Sequence, residues 1–368
     1  MTDVTVDAVD AAAYRVPTDS PEADGTLSWD ATTVVVVTAA AGGVTGLGWT
    51  YAGSAAAGVV EDMLGPVVAG RSAFDPRGAN AAMSRAVRNV GRDGVAGTAI
   101  SAVDVAVWDL QARLLGVPLH RLLGGSGEPV EVYGSGGFTT YDDEQTTRQI
   151  TDWLERCGVE AVKIKVGESW GSREGRDLER ARLVRRLIGD ERGLFVDANG
   201  GYSVGQAVRM AHRYDDLGVS WFEEPVTSDD LAGLRRVRNA ALADVAAGEY
   251  GYDLPYFARM VDASAVDCLQ IDATRCGGVT EFLRAAAVAA AHCLDVSAHC
   301  APHLHAAFVG VVPNIRHIEY FHDHCRVEEE LLFDGAAAAR DGHLRPSDAP
   351  GHGVSLRTAD AERFRVAS

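Results

Sequence analysis

Three short apolar runs, each closed by a carboxylate, constrain this chain more than any other feature. They are Leu194-Phe-Val-Asp-Ala-Asn199, Val219-Ser-Trp-Phe-Glu-Glu-Pro225 and Asp244-Val-Ala-Ala-Gly-Glu249. The acids Asp197, Glu223 and Glu249 stand 26 residues apart, at 197, 223 and 249, which leaves room for one helix and its two loops in each interval. Parallel strands that each deliver one acid at their C-terminal ends bring the three side chains to one point at the mouth of a barrel. A solvated loop acid explains any one of them. Three anions at one point need a cation, and an oxygen-only donor set suits Mg²⁺ before Mn²⁺ and well before Zn²⁺.

The alternation extends on both sides of these runs. Val130–Tyr133, Ala161–Val166, Leu194–Val196, Val219–Phe222, Val245–Ala247, Cys268–Ile271, Val296–Ala298 and Ile315–Ile318 read as strands, with helical patterns such as Gln145–Cys157, Glu174–Ile188 and Val204–Leu217 between them. The fold class is therefore α/β, a TIM-like barrel over residues 129–333. Residues 1–128 read as an α+β domain. Strands are expected at 5–16 and 32–38, a polar loop at Asp19–Thr26, a hairpin at Gly42–Trp49, and helices over Ala55–Val68, Asp75–Gly91 and Gly97–Leu115. Residues 334–368 turn polar and rich in Pro and Gly, and are expected to fold back on the first domain.

With 47% hydrophobic residues the chain can bury a large core. A net charge of −18 argues against nucleic acid or an anionic membrane as partner. An anionic substrate then needs a locally positive pocket. The start Met1-Thr-Asp-Val-Thr-Val-Asp lacks the marks of a signal peptide, and six scattered cysteines without a Cys-x-x-Cys fit a reduced, cytoplasmic chain.

The other strand ends carry acid–base residues. Lys163 and Lys165 share one face of the second strand. Acting as a base, a lysine must fall from about 10.4 toward ~7–8, helped by a like charge and a nearby cation; the bland reading is a solvated pair. Asp272 closes the sixth strand and His299 the seventh, so the aspartate would fix the imidazole tautomer, with His303 and His305 as second choices. Glu319 closes the eighth, where burial would keep it a neutral hydrogen-bond donor unless Arg316 or another cation pairs with it. Cys300 follows His299, but neighbours on a strand face opposite ways, which argues against a Cys–His nucleophile. A divalent cation between two bases suits removal of a proton next to a carboxylate, with stabilisation of the resulting enediolate.

Ala99-Ile-Ser-Ala-Val-Asp-Val-Ala-Val-Trp-Asp-Leu-Gln-Ala-Arg113, Pro118-Leu-His-Arg-Leu-Leu-Gly-Gly125 and the set Lys-x-Lys, Asp, Glu-Glu-Pro, Gly-Glu, Asp, His, Glu together resemble the enolase superfamily in its mandelate racemase branch. The resemblance implies a modified (β/α)₇β barrel with an N-terminal α+β capping domain, whose loops around residues 17–26 and Thr50-Tyr51 select substrate. It implies Asp197, Glu223 and Glu249 as ligands of one Mg²⁺, Lys165 as base beside Lys163, Asp272–His299 as dyad, Glu319 as electrophilic acid, Ser135 at the substrate carboxylate, and a symmetric homo-oligomer. Arg275 and His303 depart from the family pattern, and with Tyr51 are candidates for substrate contact. The family's muconate-type branch uses a lysine at its sixth strand as base, and no lysine follows Lys165, which argues against a cycloisomerase or a succinylbenzoate synthase. The first expectation is dehydration of a small sugar acid to a 2-keto-3-deoxy acid. Racemisation or epimerisation of a 2-hydroxy acid is the alternative, and an idle binding barrel the remote one.

Overall fold

The computed structural model describes residues 4–367; the acidic Met1–Asp3 start lies outside the described residues. Strands β1 (Ala8–Ala23), β2 (Ser28–Ala41) and β3 (Val44–Tyr51) form an antiparallel meander. The expected hairpin turns at Gly42-Gly43, both with positive φ. One face of the meander packs on the helix Val95–Leu115, so closely that a Cβ on Gly48 would stand 2.1 Å from the Ala102 carbonyl.

The segment expected as a loop at Asp19–Thr26 is mostly strand. β1 continues to Ala23, a register shift between Pro17 and Glu22 absorbs the proline, and Glu22 and Ala23 pair with Trp29 and Ser28. Only Asp24–Leu27 turn, held by the Asp24 carboxylate, which accepts from the Leu27 amide at 2.7 Å. Polar turn formers here are carried on a long two-stranded ribbon that reaches over the second domain.

That domain is a closed barrel of eight parallel strands: β4 (Val130–Gly136), β5 (Ala161–Lys165), β6 (Gly193–Asp197), β7 (Val219–Glu223), β8 (Asp244–Ala247), β9 (Cys268–Ile271), β10 (Asp295–Ala298) and β11 (Ile315–Phe321). They pair in chain order, and β11 closes on β4. Helices cover the outside, many with side-chain caps that settle their first amides, as Asp142 and Gln145 do reciprocally for Asp143–Asp152. The link from β10 to β11 holds only Pro302–Ala306 and a turn at Val309–Val311. Beyond β11 the chain is helical through Leu332, and then touches both domains. His343–Leu344 pairs with β4, while His352 donates its amide to Asp109 and Val366 donates to Ala13. No helix among the described residues is long and apolar enough to cross a membrane, and all six cysteines are free thiols.

Candidate active site

Strand register assembles the mouth. Lys165 on β5 pairs with Asp197 on β6, and Asp197 pairs with Glu223 on β7, so a lysine and two acids stand side by side. Glu249 follows β8 across Gly248, whose φ of +135° and 2.2 Å approach to the Gln270 carbonyl demand glycine. One oxygen from each of Asp197, Glu223 and Glu249 lies within 4.8 Å of the others, and all three residues are buried. Burial, reinforced by Asp197 against the pull of Lys163, lifts Glu223 to about 8. Glu249 Oε2 is buried, with His299 Nε2 3.2 Å away. A buried, oxygen-only cluster of three carboxylates within reach of one point fits a hard divalent cation.

Lys163 and Lys165 are the only lysines in the chain, and both are buried here. Lys165 Nζ donates to Asp197 Oδ2 at 2.5 Å. Lys163 pairs with Glu223, lies 2.8 Å from Glu319 Oε1, and donates to the Tyr133 hydroxyl at 3.4 Å. Burial favours the neutral amine of each, but the surrounding carboxylates outweigh it and hold both above their ordinary range. A cation held by the three acids would push both back down.

On the other side of the cluster, His299 Nδ1 meets Asp272 Oδ2 at 2.8 Å. Asp272 Oδ1 accepts from the Thr274 amide and hydroxyl at 2.6 and 2.7 Å. Burial would raise Asp272, yet its bond to His299 prevails and holds it at about 2. The second nitrogen of His299 lies 3.2 Å from Glu249 Oε2. Burial opposes the imidazolium, while the Cys300 sulfur and the carboxylates of Glu249, Glu319 and Asp272 more than offset it and raise His299 well above its usual value. Arg275 closes this side, 3.1 Å from Glu249 and 3.5 Å from Asp272.

Several expectations need correction. The neighbours of Glu319 work against the expected neutral acid. Burial pushes its carboxyl up, but Lys163, His299 and Lys165 overcome this and hold it ionised, well below the usual range. Arg316 is not its partner, being tied to Asp244 and Asp295 at the opposite end of the barrel. Ser135 is fully buried and donates to Glu319 Oε1 at 2.6 Å. His303 is spoken for, with Nδ1 2.9 Å from Glu328 and Nε2 3.0 Å from the Ala337 carbonyl. Its neighbour His305 accepts from the Ala273 amide and contacts the Cys300 carbonyl. Tyr51 likewise donates to Glu328 at 2.8 Å and stacks on His324 at 3.3 Å, so it joins the cap to the barrel. Cys300 does meet His299, Sγ to Nε2 at 3.3 Å. β10 ends at Ala298, and Cys300 has a φ of +52°, so strand alternation no longer applies. The thiol is still no nucleophile, because burial and Glu319 push it up to about 12.

Sequence reasoning passed over Glu224, which is buried with a φ of +37° and raised by burial and by Glu249 and Asp197; the doubled Glu-Glu-Pro was its only signal. It also missed Arg180, whose buried guanidinium donates to the carbonyls of Gly137, Phe138 and Lys165 and so braces the ends of β4 and β5. Above them lies the ribbon tip. Thr139 donates its amide to the Ala23 carbonyl at 2.8 Å, Trp170 donates to Gly25 at 2.9 Å, and Trp29 packs edge-on to Phe138. A side chain at Gly25 would strike the Val166 carbonyl at 2.6 Å.

Comparison with known proteins agrees with this geometry. The model for the mandelate racemase / muconate lactonizing enzyme N-terminal domain matches residues 8–124, and that for the enolase C-terminal domain-like fold matches 145–361. L-talarate/galactarate dehydratase of Salmonella typhimurium is 33% identical over 73% of this chain and 65% of its own length, so this chain spans just under two thirds of that relative. The 3,6-anhydro-alpha-L-galactonate cycloisomerase of Streptomyces coelicolor is 32% identical over 95% and 96% of the two chains, a similarity that runs against the expectation drawn from the missing lysine. Among solved structures, a mandelate racemase/muconate lactonizing enzyme-like protein from Rubrobacter xylanophilus superposes with a TM-score of 0.94 at 44% identity, covering 98% of this chain and all of that one. An enolase from Bradyrhizobium, complexed with magnesium and mandelic acid, gives 0.90 at 28% identity with full coverage of both. Two domain matches that together span most of the chain, residues 8–124 and 145–361, place the protein in the enolase superfamily, in its mandelate racemase branch.

Proposed function

We propose that the protein is a Mg²⁺-dependent dehydratase of a small sugar acid, a lyase that yields a 2-keto-3-deoxy acid. The observation that carries this reading is the placement of two proton carriers on opposite sides of one acid cluster, Lys165 against Asp197 and His299 against Glu249. Asp197, Glu223 and Glu249 would hold the ion, which supplies positive charge against the substrate carboxylate as its α-proton leaves. Lys165, neutral beside that charge and Lys163, takes the α-proton. His299, kept as imidazolium with Nδ1 pinned by Asp272, gives its Nε2 proton to the departing β-hydroxyl, which leaves as water. Lys163 keeps Glu319 ionised, and Ser135 orients it. Arg275 adds positive charge that the net −18 of the chain otherwise lacks. Dehydratases among the relatives support this choice of reaction.

The same opposed carriers would serve a racemase or epimerase, each returning a proton to its own face. A screen of sugar acids with Mg²⁺, read by NMR in deuterium oxide, separates the two. A 2-keto product with water loss is expected, whereas inverted, labelled substrate without water loss would overturn the dehydratase reading. We further infer a cytoplasmic homo-oligomer, for which sedimentation of the native protein is the test.

A further inference from the structure

We propose that His299, Cys300 and Glu319 form a second cation site, one that takes Zn²⁺ and switches the enzyme off when filled. Three different donor atoms meet here: His299 Nε2 lies 3.3 Å from Cys300 Sγ, Cys300 Sγ lies 3.5 Å from Glu319 Oε2, and Glu319 Oε2 lies 3.6 Å from His299 Nε2. A tetrahedral zinc ion with ligands at about 2.0–2.3 Å has ligand-to-ligand edges of about 3.3–3.8 Å. The observed triangle is one face of such a tetrahedron, with the fourth vertex left for water.

The surroundings of the donors match a metal site as well. Asp272 accepts at Nδ1 of His299, which turns Nε2 toward the triangle, the arrangement that orients metal-bound histidines. Glu319 gives Oε1 to Ser135 and Lys163, while Oε2 accepts from the Cys300 amide at 3.0 Å and lies 3.5 Å from the sulfur. All three residues are buried. The donor set also differs in kind from the three-carboxylate cluster. A thiolate and an imidazole select zinc over magnesium, so the two sites sort the ions by softness. Zinc binding releases two protons to solvent, one from the Cys300 thiol and one from Nε2 of His299, and the ion then holds the nitrogen through which His299 would move its proton. The binding claim stands on geometry alone, while the inhibition rests on the reading of His299 as general acid.

The test uses the full-length protein in saturating Mg²⁺, which keeps the carboxylate cluster filled, and Co²⁺ as a coloured stand-in for Zn²⁺. One equivalent of Co²⁺ is expected to give a thiolate-to-cobalt charge-transfer band that Zn²⁺ bleaches and that Cys300→Ser lacks. Zn²⁺ should inhibit the wild type despite excess Mg²⁺, and Cys300→Ser, still active with Mg²⁺, should be at least about tenfold less sensitive. Asp272→Asn, which keeps the thiol, should weaken Co²⁺ binding by about 10–100-fold. The site is overturned if no charge-transfer band forms, if Cys300→Ser keeps the band, or if extra Mg²⁺ relieves inhibition equally in both proteins. A full band without inhibition would instead overturn the role given to His299 and leave the zinc site standing.

Discussion

At the lower end of the barrel, Tyr133, Phe195, Trp221 and His317 close the interior with a layer of rings, Phe195 and Trp221 stacked at 5.5 Å. One pleat higher on β6 and β7 stand Asp197 and Glu223, and beside them on β5 stand Lys163 and Lys165, all buried. The floor spends its interior on apolar contact; the mouth spends it on charges that have only one another, and a cation, for solvent. The contrast teaches how the two depend on each other. A water-excluding floor lowers the local dielectric, so each charge above it acts more strongly than it would in water. Trp221 joins the layers, its ring in the floor and its Nε1 donating to Glu223 at 2.9 Å.

Substitutions at the two ends should therefore fail in different ways. The largest effect is expected at the mouth, where Lys165→Ala should cut turnover about 10²–10⁴-fold while thermal melting shows a folded protein. Phe195→Ala, on the floor, should cost about 3–5 kcal/mol of stability in a denaturant titration and leave turnover per folded molecule near that of the wild type. If it abolished turnover at full folding, the separation of the two layers would be wrong.

A pH experiment sharpens the comparison. His317 is buried among rings with Nδ1 2.9 Å from Ser297, and burial, with Arg316 and Lys163, lowers it to about 3. The unfolded chain takes up this proton below about pH 6.5, and the folded one refuses it until about 3. Stability should then fall as pH drops through that window, by up to about 1.4 kcal/mol per pH unit from this group. His317→Leu should flatten the melting temperature against pH, and an unchanged slope would exclude His317 as its source. The smallest effect belongs to Arg316, whose pairs with Asp244 and Asp295 are partly exposed. Arg316→Ala should cost no more than about 1 kcal/mol, measured by the same titration.

What was legible in the sequence follows the same division. Strand ends carrying Asp197, Glu223, Glu249 and the two lysines could be read because period-two runs and a constant interval are local signals. Features that depend on how remote segments meet could not. The ribbon at 19–23 is strand because Trp29 and Ser28 lie opposite it, not because of its own polar residues. Glu319 is ionised because Lys163, far back in the chain, reaches it. Tyr51 and His303 are consumed by Glu328, a residue that gave no sign of being buried. Cys300 reaches His299 because β10 stops one residue before the histidine, and strand boundaries are the least exact part of any such reading.

The central claim is that the acid cluster stands between two proton carriers with different tasks. Solvent deuterium exchange at the substrate α-carbon, followed with Mg²⁺ in Lys165→Ala and His299→Asn, tests it directly. Lys165→Ala should lose exchange, while His299→Asn should keep exchange and lose dehydration. Exchange that survives without Lys165 and disappears without His299 would contradict the account.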